Sequence, residues 1–166
     1  MGGDEERDAG ALERFEGSFG GAESAVRARL WREVFGGEYP AAADPFGYVS
    51  VSELRSVALG LRVGRGQRLA DVGCGRGGPG LWVAATGAAL TGIDIDEAAL
   101  AAARRRADQA GLADRAAFRR GSFTRTGLPD GGTDAVMSLD ALLFAPDKRA
   151  AAAELARSPL PAAGWR

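Results

Sequence analysis

The stretch LADVGCGRGGPG (69–80) sets Gly73, Gly75 and Gly78 in a G-x-G-x-x-G spacing directly after an apolar run. Glycines so spaced permit positive φ and leave no Cβ between the backbone and a bound molecule. This suits a nucleotide-like ligand when a strand precedes the loop and a helix follows it. Asp94 lies twenty-one residues beyond Gly73, at the end of a second apolar run, ALTGIDI. A carboxylate there can accept both hydroxyls of an adenosine ribose. Asp96, two residues on, is better suited to capping a helix. Asp140 follows another such run, TDAVMSL. It either orients or deprotonates a hydroxyl or amine of a bound substrate, or it stabilises a turn.

The ligand has two candidate classes, a nicotinamide dinucleotide or S-adenosylmethionine, and Asp71 separates them. A carboxylate two residues before the first glycine repels a pyrophosphate. A sulfonium and an ammonium tolerate or prefer that charge, so the acid argues for S-adenosylmethionine. The chain has no histidine and a single cysteine, Cys74. Ser-His-Asp and Cys-His catalysis and most zinc sites are therefore excluded, as is an internal disulfide. Without an imidazole to activate it, the Cys74 thiol reads as a small loop residue.

Elements that would position these residues follow in alternation. RLADV (68–72) is a strand entering the loop, and Pro79 suits the first turn of a helix continuing through 81–87. A strand over 89–95 precedes a helix capped by Asp96 and stopped at Gly111. Strands over 116–120 and 133–139 and a helix over 146–158 complete the pattern, which predicts an α/β fold with helices on both faces of a parallel sheet. Upstream, apolar spacing predicts two short helices broken at Gly20-Gly21, then a turn-rich loop over 36–48. Ser50 and Glu53 form a capping-box pattern for a helix over 51–59 that stops at Gly60. Arg104, Arg105 and Arg106 read as a solvated helix face.

LADVGCGRGGPG, LTGIDID and DAVMSLDALLFAPD together resemble the class I S-adenosylmethionine-dependent methyltransferases, in the branch acting on small molecules, over roughly residues 30 to 157. The resemblance implies a Rossmann-like, doubly wound sheet of seven strands, of which this sequence supplies the first four. It places Asp71, Gly73, Cys74, Gly75 and Gly77 in the loop holding the amino-acid part of the cofactor. Asp94 falls at the ribose, Ile95 on one face of the adenine, and Ser122 where the family has an aspartate for the adenine amino group. A hydroxyl is a weaker acceptor than a carboxylate, and Ser122 also reads as a turn residue. Trp31, Tyr39, Phe46 and Tyr48 would either lie over the cofactor, as amino-terminal helices of this family do, or pack in the core.

The expected organisation is a disordered tail over 1–10, a helical cap over 11–60 and a cofactor-binding domain over 61–166. After AAAAELAR the family continues into Pro-Gly-Gly and a fifth strand, whereas this chain reads SPLPAAGWR, whose prolines oppose a strand. An incomplete domain with an open fourth-strand edge is expected, marginal as a monomer unless a second copy pairs there. The formal charge of −1 gives no global attraction to nucleic acid. No apolar run is long enough for a membrane span, and the acidic start is unlike a signal peptide, which suggests a cytoplasmic location. The expected function is methyl transfer to a small organic acceptor. The alternatives are a non-catalytic cofactor-binding or dimerising remnant of such an enzyme, or an NAD(P)-dependent oxidoreductase fragment.

Overall fold

The computed structural model of the chain describes residues 25–43, 47 and 49–159, together with Gly10 and Glu13. Residues 1–9 of the expected tail, the first amino-terminal helix apart from Glu13, Phe46, Tyr48 and residues 160–166 lie outside the described residues.

Four parallel strands, β1 (Arg68–Val72), β2 (Ala89–Asp94), β3 (Ala116–Arg120) and β4 (Ala135–Met137), form one sheet in the order β3-β2-β1-β4. The register sets Asp71 opposite Gly92 on β2 and Met137 on β4. Strand β1 is buried along Leu69–Val72, as a central parallel strand covered on both faces must be. On one face Leu69, Leu90 and Met137 pack with Leu81, Val83 and Leu100 of the helices. On the other, Ala70, Val72 and Ile93 pack with Leu128 and Leu155. Strand β3 forms one margin, with Arg119 and Arg120 exposed.

Helices α1 (Ala25–Phe35) and α2 (Val51–Leu61) precede the sheet, while α3 (Gly78–Ala84), α4 (Glu97–Gln109) and α5 (Lys148–Arg157) alternate with its strands. Ser50 and Glu53 make both bonds of a capping box on α2, and Asp96 accepts from Ala98 N at 2.8 Å to cap α4. Helix α2 runs past Gly60, and Arg62, at φ +53°, takes the left-handed position expected of a glycine. The added turn lets Leu61 pack on the core.

Strand β4 is shorter than the 133–139 expected from sequence. Thr133 turns away to donate from its N and Oγ1 to the Ser158 carbonyl, at 3.0 and 3.1 Å. Thr133 and Pro159 thereby form an isolated parallel bridge. The bridge lies two residues ahead of β4, which itself stays at the margin of the sheet. Proline's missing N–H is not needed, because the carbonyl of Ser158 accepts the bond.

Glu154 of α5 fastens the long connection between β3 and β4. Its Oε1 accepts from Thr126 N at 2.8 Å and Thr126 Oγ1 at 2.6 Å, while Arg157 grips both its oxygens and the Leu128 carbonyl. The Arg157 bond, then those from Thr126, hold its carboxyl at about 2. A depressed carboxylate stabilises the fold above its unfolded value, and that contribution is lost as pH falls from about 4.5 through about 2. The shift corresponds to about 3 kcal/mol, with the Glu154 side chain only 12% exposed. Glu154→Ala is expected to cost about 2–4 kcal/mol at pH 7 and to flatten the acid limb of stability, as read by urea titration at pH 3 and pH 7.

Candidate functional site

The loop from Gly73 to Gly77 leaves the carboxyl end of β1, next to β2 and β4. Such an end is where ligands of open α/β sheets bind. Gly73, Gly75 and Gly77 have φ of +75°, +50° and +75°, so all three use the left-handed region that side chains disfavour. The loop is tied to β2 by its own amides: Gly73 N and Cys74 N both donate to the Ile93 carbonyl, at 2.8 and 3.1 Å. A Cβ on Gly73 would lie 2.5 Å from Ala141 Cβ and 2.9 Å from Phe123 Cζ. Among the described residues a Cβ on Gly75 would meet nothing within 4 Å, which leaves room for a ligand over Gly75.

Asp94 ends β2 beside this loop. Its Oδ2 accepts from Gly75 N at 2.7 Å and its Oδ1 from Asp96 N at 3.0 Å. These bonds fix the carboxylate orientation and leave further lone pairs on each oxygen for a ligand hydroxyl. Burial raises its pKa, against the pull of its backbone donors.

Asp71 is buried beneath the loop, under α3. It accepts the backbone N–H of Gly80, one of the first-turn donors of α3 that has no partner within the helix. Burial, then the charge of Asp94, pushes its carboxyl up to about 7. Among the described residues neither acid is in an ion pair. A cationic guest would be attracted by both carboxylates, and a polyphosphate repelled.

The remaining expected residues fall into two groups. Ile95 and Ser122 stand just past β2 and β3, on the same end of the sheet, and the Gly121 amide donates to the Asp94 carbonyl at 3.0 Å. Ser122 is buried in a tight turn, its N–H on the Arg125 carbonyl and its Oγ 3.4 Å from Thr124 Oγ1. Asp140, just beyond β4, is exposed and left-handed at φ +52°. Its Oδ2 lies against Gly47, where a Cβ would collide with it.

Cys74 contributes backbone to the loop, but its side chain packs into the core beside Gly92 and Phe118. Burial, then the charges of Asp71 and Asp94, raises its thiol far above the usual range, so the thiolate needed for nucleophilic chemistry is disfavoured. Of the aromatics, Trp31 meets Phe35 with ring centroids 5.5 Å apart and planes tilted by 56°, and Tyr39 is buried with Arg32 over its ring.

Four residues at the site carried little sequence signal. Gly80 has no side chain to clash with Asp71, whose Oδ2 lies 2.5 Å from where a Cβ would stand; its place inside the glycine run was the available clue. Phe123 and Ala141 wall Gly73, and Gly47 meets Asp140, through contacts far apart in the chain.

The methyltransferase domain family matches residues 69–161. A sterol 24-C-methyltransferase, ERG6B, of Gibberella zeae is 37% identical over 93 residues, covering 55% of this chain and 24% of that protein. Methyltransferase GfsG of Streptomyces halstedii is 29% identical over 139 residues, covering 82% of this chain and 50% of that one. This chain thus spans between a quarter and a half of the length of these relatives. Among solved structures, the [4+2]-cyclase SpnF superimposes with a TM-score of 0.62 at 33% identity, over 65% of this chain and 40% of that one.

Proposed function

The chain belongs to the methyltransferase domain family, whose cofactor is S-adenosylmethionine, and from that premise we propose that it transfers the cofactor's methyl group to a small-molecule acceptor. The observation that carries this reading is the pair of buried acids, Asp71 and Asp94, flanking a left-handed glycine loop without an ion-pair partner among the described residues. Such a pair favours a guest bearing a sulfonium and an ammonium.

When bound, the cofactor supplies a methyl group already activated on sulfur, so little acid–base work is left to the protein. Gly73, Gly75 and Gly77 let the backbone approach the amino-acid part. Asp94 accepts the ribose hydroxyls, Ile95 covers the adenine, and Ser122 stands by its amino edge. Asp140 orients the acceptor's hydroxyl or amine and takes its proton on the carboxylate, a role for which exposure and position past β4 suit it. This reading takes 61–166 as the cofactor-binding unit and 11–60 as a helical cap. This reading includes a cytoplasmic protein that pairs with a second copy along the outer edge of β4.

Calorimetry separates the cofactor classes. Binding of S-adenosylmethionine without binding of NADH is expected, and heat from NADH alone would overturn the reading. Asp94→Asn is expected to weaken S-adenosylmethionine about tenfold or more, the worth of a hydrogen bond to a charged group. The likeness to a cyclase makes the acceptor assay decisive. Transfer of a radiolabelled methyl group to phenols, amines or carboxylates excludes the non-catalytic remnant, whereas cofactor binding with no turnover on any of them favours it.

A further inference from the structure

The three consecutive arginines of α4 do different things. Arg104 bonds Glu97 at 2.7 Å and the Phe118 carbonyl at 2.8 Å, tying the helix to β3. Arg105 is exposed. Arg106 reaches across the fold, its Nη1 donating to the carbonyl of Ala43 at 2.9 Å. Ala43 is fully buried and ends a turn closed by bonds from Ala41 N to Tyr39 O and from Ala43 N to Pro40 O, each 2.9 Å. Its carbonyl oxygen occupies the place a Cβ on Gly78 would need, and Arg106 Nη1 lies 2.8 Å from that same point. Turn, arginine and glycine therefore meet at one junction, directly after left-handed Gly77. On the other flank of the loop, Gly47 rests on Asp140. The strand order β3-β2-β1-β4 puts α4 on one side of the loop and the Asp140 segment on the other. Chain from the amino-terminal layer is thus fastened on both sides of the glycine loop.

We propose that Arg106 is a positioning residue for cofactor retention: by pinning the Ala43 carbonyl against Gly78 it holds the end of the glycine loop in its binding shape and slows release of the bound adenosyl ligand. The inference rests on the methyltransferase reading. It assigns to α4 a role that neither the helix's composition nor its place in the fold requires. A guanidinium suits the task because it keeps its charge and offers several donors in a fixed plane, so one can serve a buried carbonyl.

The test is the dissociation rate of S-adenosylhomocysteine from the full chain, followed by stopped flow. Arg106→Ala is expected to release it about tenfold faster, the cost of one bond from a charged donor. Arg106→Lys, which keeps a donor, falls between the two, and Arg105→Ala matches the parent. Gly78→Ala, whose Cβ displaces the Ala43 carbonyl, also speeds release. The double variant Gly78→Ala/Arg106→Ala is no faster than the quicker single variant, because both break one junction. Hydrogen exchange at the amides of Gly77, Gly78, Gly80 and Leu81 in ligand-free protein is expected to accelerate in Arg106→Ala. Unchanged release in Arg106→Ala, no rescue by lysine, or additive effects with Gly78→Ala each overturn the proposal and leave the cofactor reading standing. Failure of the parent chain to bind the ligand at all overturns both.

Discussion

Asp71→Asn is expected to make the protein more stable at pH 8 and worse at holding its cofactor. The carboxyl of Asp71 is pushed up to about 7 by burial and by the charge of Asp94. A raised carboxyl favours the fold fully below its unfolded value near 4, and that advantage disappears as pH rises through about 7. At pH 8 the buried carboxylate therefore costs the fold up to about 4 kcal/mol relative to its neutral form. Asparagine removes the charge and keeps an oxygen for Gly80 N–H. It still buries a polar amide, so a gain of about 1–3 kcal/mol is expected, roughly 5 °C in Tm. The benefit shrinks towards zero by pH 4, where Asp71 is already neutral. Binding moves the other way. A cation beside the loop stabilises the ionised acid, so the parent chain releases a proton on binding and its affinity for S-adenosylmethionine rises with pH through about 7. Asp71→Asn loses the part of that dependence due to Asp71 and about tenfold or more in affinity. Calorimetry at pH 6 and pH 8 checks both effects; a variant that binds as tightly as the parent at pH 8 would contradict the assignment of Asp71.

Two glycines of the loop are expected to separate folding from binding. Gly73→Ala places a side chain at φ +75° and drives its Cβ to 2.5 Å from Ala141 and 2.9 Å from Phe123. The backbone term is about 1–2 kcal/mol and the crowding about 1–3 kcal/mol, so a loss of several kcal/mol is expected. Gly75→Ala has the backbone term alone, because no atom of the described residues lies within 4 Å of its Cβ position. It should lose only that backbone term of about 1–2 kcal/mol, yet on the proposed reading it fills the space over which the ligand approaches. Urea denaturation and cofactor titration on both variants give the comparison. A Gly75→Ala variant with unaltered affinity would show that the ligand does not lie over that residue.

The parts of this architecture legible in sequence are those written in short-range spacing. The glycine loop, the acid at the end of β2, the Ser50 and Asp96 caps and the alternation of strand and helix each depend on residues a few positions apart. That is why the sheet, and the meeting of the candidate residues at one end of it, follow from pattern alone. What escaped was set by tertiary contact. Arg104 and Arg106 share composition and helix with Arg105, and only the folded chain shows that the first reaches Phe118 and the last Ala43. Thr133 reads as strand, but the Ser158 carbonyl takes both its donors. Cys74 sits among loop glycines, yet Gly92 opens room beneath it for the sulfur. Gly47 meets Asp140 across most of the chain, a distance over which no periodicity runs.

The exposed Arg119 and Arg120 on β3 carry a last consequence. Two copies approaching by that margin would bring guanidinium groups face to face, and electrostatic repulsion would oppose the backbone pairing that an open strand invites. Among the described residues the opposite margin carries no such charge along Ala135, Val136 and Met137. The two borders of the sheet thus differ in charge, and backbone pairing with another chain would meet repulsion at one of them and not at the other.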